Sequence, residues 1–207
     1  MNKVLAEVRI ENIYNSFIHI SQSPQTYDYI GQREYDKEFN LLLKQGFIWY
    51  RDFIAFSMTS DLERYWIKIA VSDTLKIDPV ITEAIDSDRY LDATVIILPF
   101  EVRDKRIYVF GDYDEDLTLS FTLPPRNYQL LFQNRHFTRE EIEASPNNDC
   151  RDLDYDDWYD DMELCLLTFI PTEEAIEPKM IAVNNSQKSK FRKALILFDR
   201  EMYQSSD

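Results

Sequence analysis

Glycine is the first scarcity. The 207-residue chain has three. Loops that cradle phosphates need glycine where the backbone closes on the ligand, and neither GxGxxG nor GxxxxGK[ST] occurs, which excludes those nucleotide-binding devices. Cysteine is also scarce: Cys150 and Cys165 are the two present, too few for a disulfide framework. The two histidines, His19 and His136, lie far apart and form no His-Cys metal pattern. Positive charge is in deficit, with 23 Lys and Arg against 38 Asp and Glu and a formal net charge of −15. Such a field repels phosphate backbones and anionic lipid surfaces, so no direct nucleic-acid partner and no membrane partner is expected, whereas cations and basic protein patches are attracted. Long apolar runs are absent too. "ATVIILPF" (93–100) is far shorter than the ~20 residues that a helix needs to span a bilayer. The residues after Met1 show no n-region and h-region, so the expectation is a chain without a signal peptide in a reduced, cytoplasmic setting.

What is abundant is aromatic and β-branched. Hydrophobic residues make up 44% and aromatics 14%, with 13 Tyr and 13 Phe, which marks a folding, strand-favouring sequence. Period-two segments recur: "VLAEVRI" (4–10), "IYNSFIHIS" (13–21), "FIWYRDFIAFSM" (47–58), "RYWIKIAVS" (64–72), "ATVIILPFEV" (93–102), "RIYVFG" (106–111), "LTLSFTL" (117–123), "NYQLLFQ" (127–133) and "ELCLLTFIP" (163–171). Tyr35, Phe39, Leu42 and Leu43 follow helical spacing, with Gly46 placed as a C-terminal cap. Residues 73–90 read as a loop broken by Pro79, with a single helical turn at most. "TREEIEA" (138–144) starts with a capping box, Thr138 at N-cap and Glu141 at N3. "SKFRKALILFDREMYQ" (189–204) reads as an amphipathic helix through Phe191, Leu195, Phe198 and Met202. The pattern predicts an all-β fold, an antiparallel β-sandwich of about nine strands with a few short helices and a C-terminal helix. Residues 1–170 form the sandwich, and 171–207 form a polar linker and the helix packed on the same domain. Ile18, Phe56, Ile67, Ile97, Val109, Phe121, Leu130 and Leu166 are the expected core.

In "LPFEVRDKRIYVFGDYDEDLTLSFTLPPRNYQLLFQ" (98–133), a Pro-Phe strand (Pro99, Phe100), a turn and an Ile-rich strand (Ile107 to Val109) precede a Leu-Ser-Phe strand (Leu119 to Phe121). Leu123-Pro124 and Tyr128-Gln129-Leu130 complete the run. This region resembles the competence protein J (ComJ) family, small bacterial inhibitors of a DNA-uptake nuclease, and "IYNSFIHISQ" and "GFIWYRDFIAFSM" look like its opening strands. Pro125-Arg126-Asn127 stands where family members tend to have glycine, and Asn127 can supply a left-handed residue instead. The resemblance implies a sandwich and a nuclease or other toxic effector as partner. It implies binding without catalysis and no cofactor.

"DLDYDDWYDDMEL" (152–164) carries the remaining signal. Eight acids and one base, Arg151, between Asp149 and Glu163 give a local charge of −7, with Tyr155, Trp158 and Tyr159 among them. Asp152, Asp154, Asp156, Asp160 and Glu163 fall at positions one, three, five, nine and twelve of a calcium loop. Position six is Asp157 where that loop needs Gly, and the downstream flank alternates like a strand, so no metal is assigned. As a partner surface, Asp152, Asp154, Asp156, Asp157, Asp160 and Asp161 would stand in for phosphates in a basic groove, with Trp158 and Tyr159 as anchors. The plainer alternative is a solvated loop at a sandwich end. Cys165 reads as core, and Cys150 lies beside Asp149 and Asp152, which disfavours its thiolate. No triad signature supports an enzyme. Lys188, Lys190, Arg192 and Lys193 open the C-terminal helix, which either pairs with surface acids or docks a further protein.

Overall fold

The computed structural model describes residues 3–11, 17–23, 45–58, 64–87, 91, 93–111, 119–138, 140–141 and 162–182. Eleven strands and one helix occur there, in the order β1 (Lys3–Glu11), β2 (Phe17–Ser21), β3 (Phe47–Trp49), β4 (Phe53–Ser57), β5 (Arg64–Val71), α1 (Pro79–Asp86), β6 (Ala93–Val102), β7 (Arg106–Phe110), β8 (Leu119–Thr122), β9 (Arg126–His136), β10 (Met162–Pro171) and β11 (Lys179–Ala182). One sheet has six strands in the order β1-β5-β10-β9-β6-β11, and the other has five in the order β3-β4-β2-β7-β8. The sandwich is as the sequence predicts, with one exception to its direction: β10 runs parallel to β5 and antiparallel to β9. Alternation reports which face a residue takes and is blind to the direction of the neighbouring strand. β11 falls in the stretch read as a polar linker, where four residues are too short a run to stand out. The expected helices at 35–43 and in the C-terminal segment lie outside the described residues. No helix among the described residues is long and apolar enough to cross a membrane.

The sheets meet through aromatic side chains. Phe56 of β4 lies flat on Phe132 of β9, with centroids 4.0 Å apart and planes within 3°. Toward the opposite end, Phe100, Phe121 and Tyr128 surround Phe169 at 5.7, 5.6 and 6.0 Å. Burial raises the Tyr128 hydroxyl pKa against the opposing charge of Arg126, and the hydroxyl donates to the Pro124 carbonyl at 3.0 Å. Gln22 ties the turn between β6 and β7. Its side-chain oxygen accepts from the backbone of Arg103 and Asp104, and its amide donates to the Glu101 carbonyl.

A second apolar cluster covers the outer face of the six-stranded sheet: Ile81 packs with Ala93, Val95, Ile97, Leu131 and Ile170. Strands buried on both faces lose the alternation that marks a single core face. Two expected core positions are corrected for this reason. Ile97 is buried, but in this outer cluster, while Ile96 and Leu98 face the other sheet. Leu166 is half-buried beside Lys68 and Gln133, and Cys165, Leu167 and Phe169 face the other sheet instead. Leucine occurs at both parities in "ELCLLTF", so the pattern could not choose the register. The remaining expected core residues are buried as predicted.

Pro79 opens α1 instead of breaking it. Its fixed φ suits the first helical turn, where its missing N–H is no loss. Asp78 caps the helix, its Oδ1 accepting from Val80 N at 2.9 Å and Ile81 N at 3.4 Å. Gly46 has φ of 80°, the left-handed geometry expected of a cap glycine. Asn127, expected in a turn, is the second residue of β9, and its carbonyl accepts from Thr172 N. Pro99 lies beyond the β11 pairing, which ends at Ile97, so β6 tolerates it.

Candidate partner-binding end of the sandwich

The strand ends define two poles. Asn134 of β9 reaches Met58, just past β4, with its amide 3.8 Å from the sulfur, so these ends of the two sheets coincide. β2 begins at this pole, because Phe17 pairs with Ser57, and β7 finishes there, because Phe110 pairs with His19. β9 ends at His136, opposite Glu163 at the start of β10. The connection from β7 to β8 (111–118) and that from β9 to β10 (137–161) therefore both spring from this pole. The first carries Asp112, Asp114, Glu115 and Asp116. The second carries Asp152, Asp154, Asp156, Asp157, Trp158, Tyr159, Asp160 and Asp161. Those twelve residues lie outside the described residues, and the strands fix only where their connections begin and end.

Arg135 forms the root of the longer connection. Its side chain is 2% exposed. Nε donates to Asp78 Oδ1 at 2.9 Å and Nη2 to Asp78 Oδ2 at 3.1 Å. Nη1 and Nη2 donate to Glu141 Oε2 and Oε1, both at 2.7 Å, and Nη1 also donates to the His136 carbonyl at 2.9 Å. A guanidinium has five N–H groups, and five bonds use them all. Burial disfavours the Arg135 charge, but the bonds from Glu141 and Asp78 outweigh it and raise the pKa. The Arg135 bonds hold the Glu141 carboxyl below its ordinary range against partial burial, aided by the Thr138 backbone. The predicted capping box is present: Thr138 N donates to Glu141 Oε2 at 3.0 Å, and Glu141 N donates to Thr138 Oγ1 at 3.3 Å. Asp78 is fixed from behind, its N–H donating to Gln133 Oε1 at 2.7 Å.

Glu163 is fully buried, and its Oε2 accepts from Asn134 Nδ2 at 2.6 Å. The twelfth position of the calcium spacing thus lies inside a strand, where no helix follows. Among the described residues no group of three or more metal-ligating side chains comes together. Cys165 is fully buried, and burial, reinforced by Glu163, pushes its thiol well above the usual value, so its thiolate is disfavoured. His19 is buried in β2, stacked on Phe110 at 5.2 Å and Phe53 at 5.5 Å. Trp66 stacks on Phe137 at 5.4 Å, where the β9–β10 connection starts.

The sequence reading missed the Arg135–Asp78 pair and the Asn134–Glu163 pair. The available signal was "QNRH" (133–136), four consecutive polar residues that follow the apolar run Leu130 to Phe132 within one strand. Buried polar side chains of this kind need partners, and such a run asks where they are.

The ComJ family, competence protein J, matches residues 35–159, more than half of the sequence. The chain belongs to this family. Its fold is similar to the crystal structure of ComJ from Bacillus subtilis, an inhibitor of the DNA-degrading activity of NucA: TM-score 0.50, 13% identity, covering 83% of this chain and 99% of that one. A second solved chain, crocagin biosynthetic gene J, aligns at a TM-score of 0.45 and 11% identity, covering 84% of this chain and 99% of that one. No curated protein matches the sequence.

Proposed function

We propose that the protein is a non-catalytic binding module that restrains a nuclease or other toxic effector by occlusion. The observation that carries this reading is that both acidic connections are rooted at one pole of the sandwich. Those two connections contain eleven of the chain's 38 acids, in segments 112–116 and 149–161. A nuclease groove that holds DNA is lined with Lys and Arg, and carboxylates can occupy it in place of phosphates. Asp152, Asp154, Asp156, Asp157, Asp160 and Asp161 supply charge, and Trp158 and Tyr159 supply the desolvated anchors that charge alone does not. Family membership and the likeness to an inhibitor of NucA support a nuclease partner. Among the described residues near this pole, Arg135 has no donor left, Glu163 is buried on Asn134, and the Cys165 thiol is held protonated. The setting is cytoplasmic, with no cofactor, no nucleic-acid contact of the protein's own and no membrane contact.

The test is DNA degradation by NucA and by its homologues from the protein's own genome, titrated with the purified protein. At equal stoichiometry, degradation by at least one of them stops. Binding with full residual activity would favour the alternative, an adaptor subunit without inhibitory role, and no binding to any would overturn the nuclease reading.

A further inference from the structure

We propose that two turns at the far end of the sandwich form a second docking surface, a basic one that receives an acidic segment of another protein. The proposal goes beyond the proposed function and does not depend on it. β9 runs eleven residues from Arg126 to His136, so Arg126 stands about 34 Å from the pole at which β9 ends. The Debye length at physiological salt is about 8 Å, so charges at the two ends act separately. At the Arg126 end, the β6–β7 turn and the β8–β9 link lie side by side. Arg126 pairs with Val102, Arg106 pairs with Thr122, and Leu123 N donates to the Lys105 carbonyl at 2.8 Å. Segments 101–106 and 122–127 hold four bases and two acids, in a chain whose net charge is −15. Arg103 reaches Glu101 at 3.9 Å. Lys105, Arg106 and Arg126 are exposed and enter no ion pair among the described residues. Pro124 and Pro125, exposed as well, add stiff apolar surface beside the charges. Gln22 holds the β6–β7 turn in place, its Oε1 accepting from Arg103 N at 2.7 Å and Asp104 N at 3.2 Å. Isolated surface pairs contribute little, but several cations on a backbone already fixed lose less freedom when they bind together.

The size of the patch selects the partner. Arginine pairs bidentately with a carboxylate, and a short run of Asp and Glu ends where the patch ends. A DNA duplex carries one charge per ~1.7 Å of axis and extends past the patch along a protein of net charge −15, which repels it. An anionic lipid surface is equally broad and meets the same repulsion.

The probe is a hexaglutamate peptide, titrated into the ¹⁵N-labelled protein and followed through the backbone amide signals. Signals of Arg103, Lys105, Arg106 and Arg126 should shift saturably, while those of Lys76 and Lys179, exposed bases elsewhere on the surface, stay in place. Lys105→Gln, Arg106→Gln and Arg126→Gln combined should weaken binding about tenfold and leave the rest of the spectrum, and so the fold, unchanged. High salt should weaken binding to wild type in the same way. The absence of a saturable shift, shifts of equal size at Lys76 and Lys179, or unchanged affinity in the combined variant would overturn the proposal. So would tighter binding at these residues of a short DNA duplex or of phosphatidylserine vesicles than of the peptide, because the occupant would then be a nucleic acid or a membrane. No nuclease enters this assay, so its failure leaves the proposed function standing.

Discussion

Leu166 and Leu167 are neighbours on β10, and deleting the same side chain atoms from each should have unequal consequences. Leu167 is fully buried between the sheets, while Leu166 faces outward and is half-buried beside Lys68 and Gln133. Leu167→Ala removes transfer free energy and leaves a cavity among aromatic rings that cannot collapse freely, a cost of about 3 kcal/mol. Leu166→Ala removes part of one side chain's burial and leaves no closed cavity, a cost of about 1 kcal/mol. With a urea dependence of about 2 kcal/mol/M, the unfolding midpoint should fall by about 1.5 M for Leu167→Ala and about 0.5 M for Leu166→Ala, with the slope unchanged in both. Urea melts followed by tryptophan fluorescence and by circular dichroism measure this and check two-state behaviour. A larger loss at Leu166 than at Leu167 would refute the register of β10, and with it the placement of Cys165 and Phe169.

Asp78→Ala removes an N-cap and half of the clasp on a buried guanidinium, and should destabilise the protein by about 3 kcal/mol in the same melts. The folded-state pKa of Glu141 is depressed, so its contribution to stability is present above the unfolded carboxylate pKa and is lost as pH falls through the folded value. The stability gap between wild type and Glu141→Gln should accordingly be constant near neutral pH and close on acidification below the ordinary carboxylate range. Cys165 should resist alkylation in the native state at pH 8 and react once the protein is unfolded in urea, as followed by mass spectrometry. Millimolar Ca²⁺ should raise the melting temperature no more than Mg²⁺ does, because Glu163 is taken by Asn134. A Ca²⁺-selective rise that Asp152→Ala removes would restore the calcium loop.

The sandwich was legible because half-exposed strands alternate, as β7 and β8 do. It failed where both faces are covered: "ATVIILPF" gave a strand but not which of Ile96 and Ile97 looks inward. The capping box of Thr138 and Glu141 was legible because it is local, three residues apart. The clasp that gives it purpose was not, because Asp78 lies 57 residues from Arg135 and only the folded sheet brings them together. Pro79 misled for a related reason. The same ring that ends a helix from inside starts one from its first turn, and the cap that decides between them depends on a side chain held by a distant arginine. The acidic stretch was conspicuous in composition, and the strand ends add that its connection starts and finishes at the same pole as the connection holding Asp112 to Asp116, which composition could not express.

The central claim, docking of the acidic pole on a basic partner, is tested most directly by association and dissociation kinetics against the inhibited nuclease at two salt concentrations. Asp156, Asp157, Asp160 and Asp161 replaced together by Asn should slow association and flatten its salt dependence, because long-range steering is lost. Trp158→Ala should mainly speed dissociation, with an anchor of this kind contributing ~2 kcal/mol, and melting curves should show both variants folded. Unchanged kinetics in both folded variants would contradict the account and return this stretch to a solvated loop.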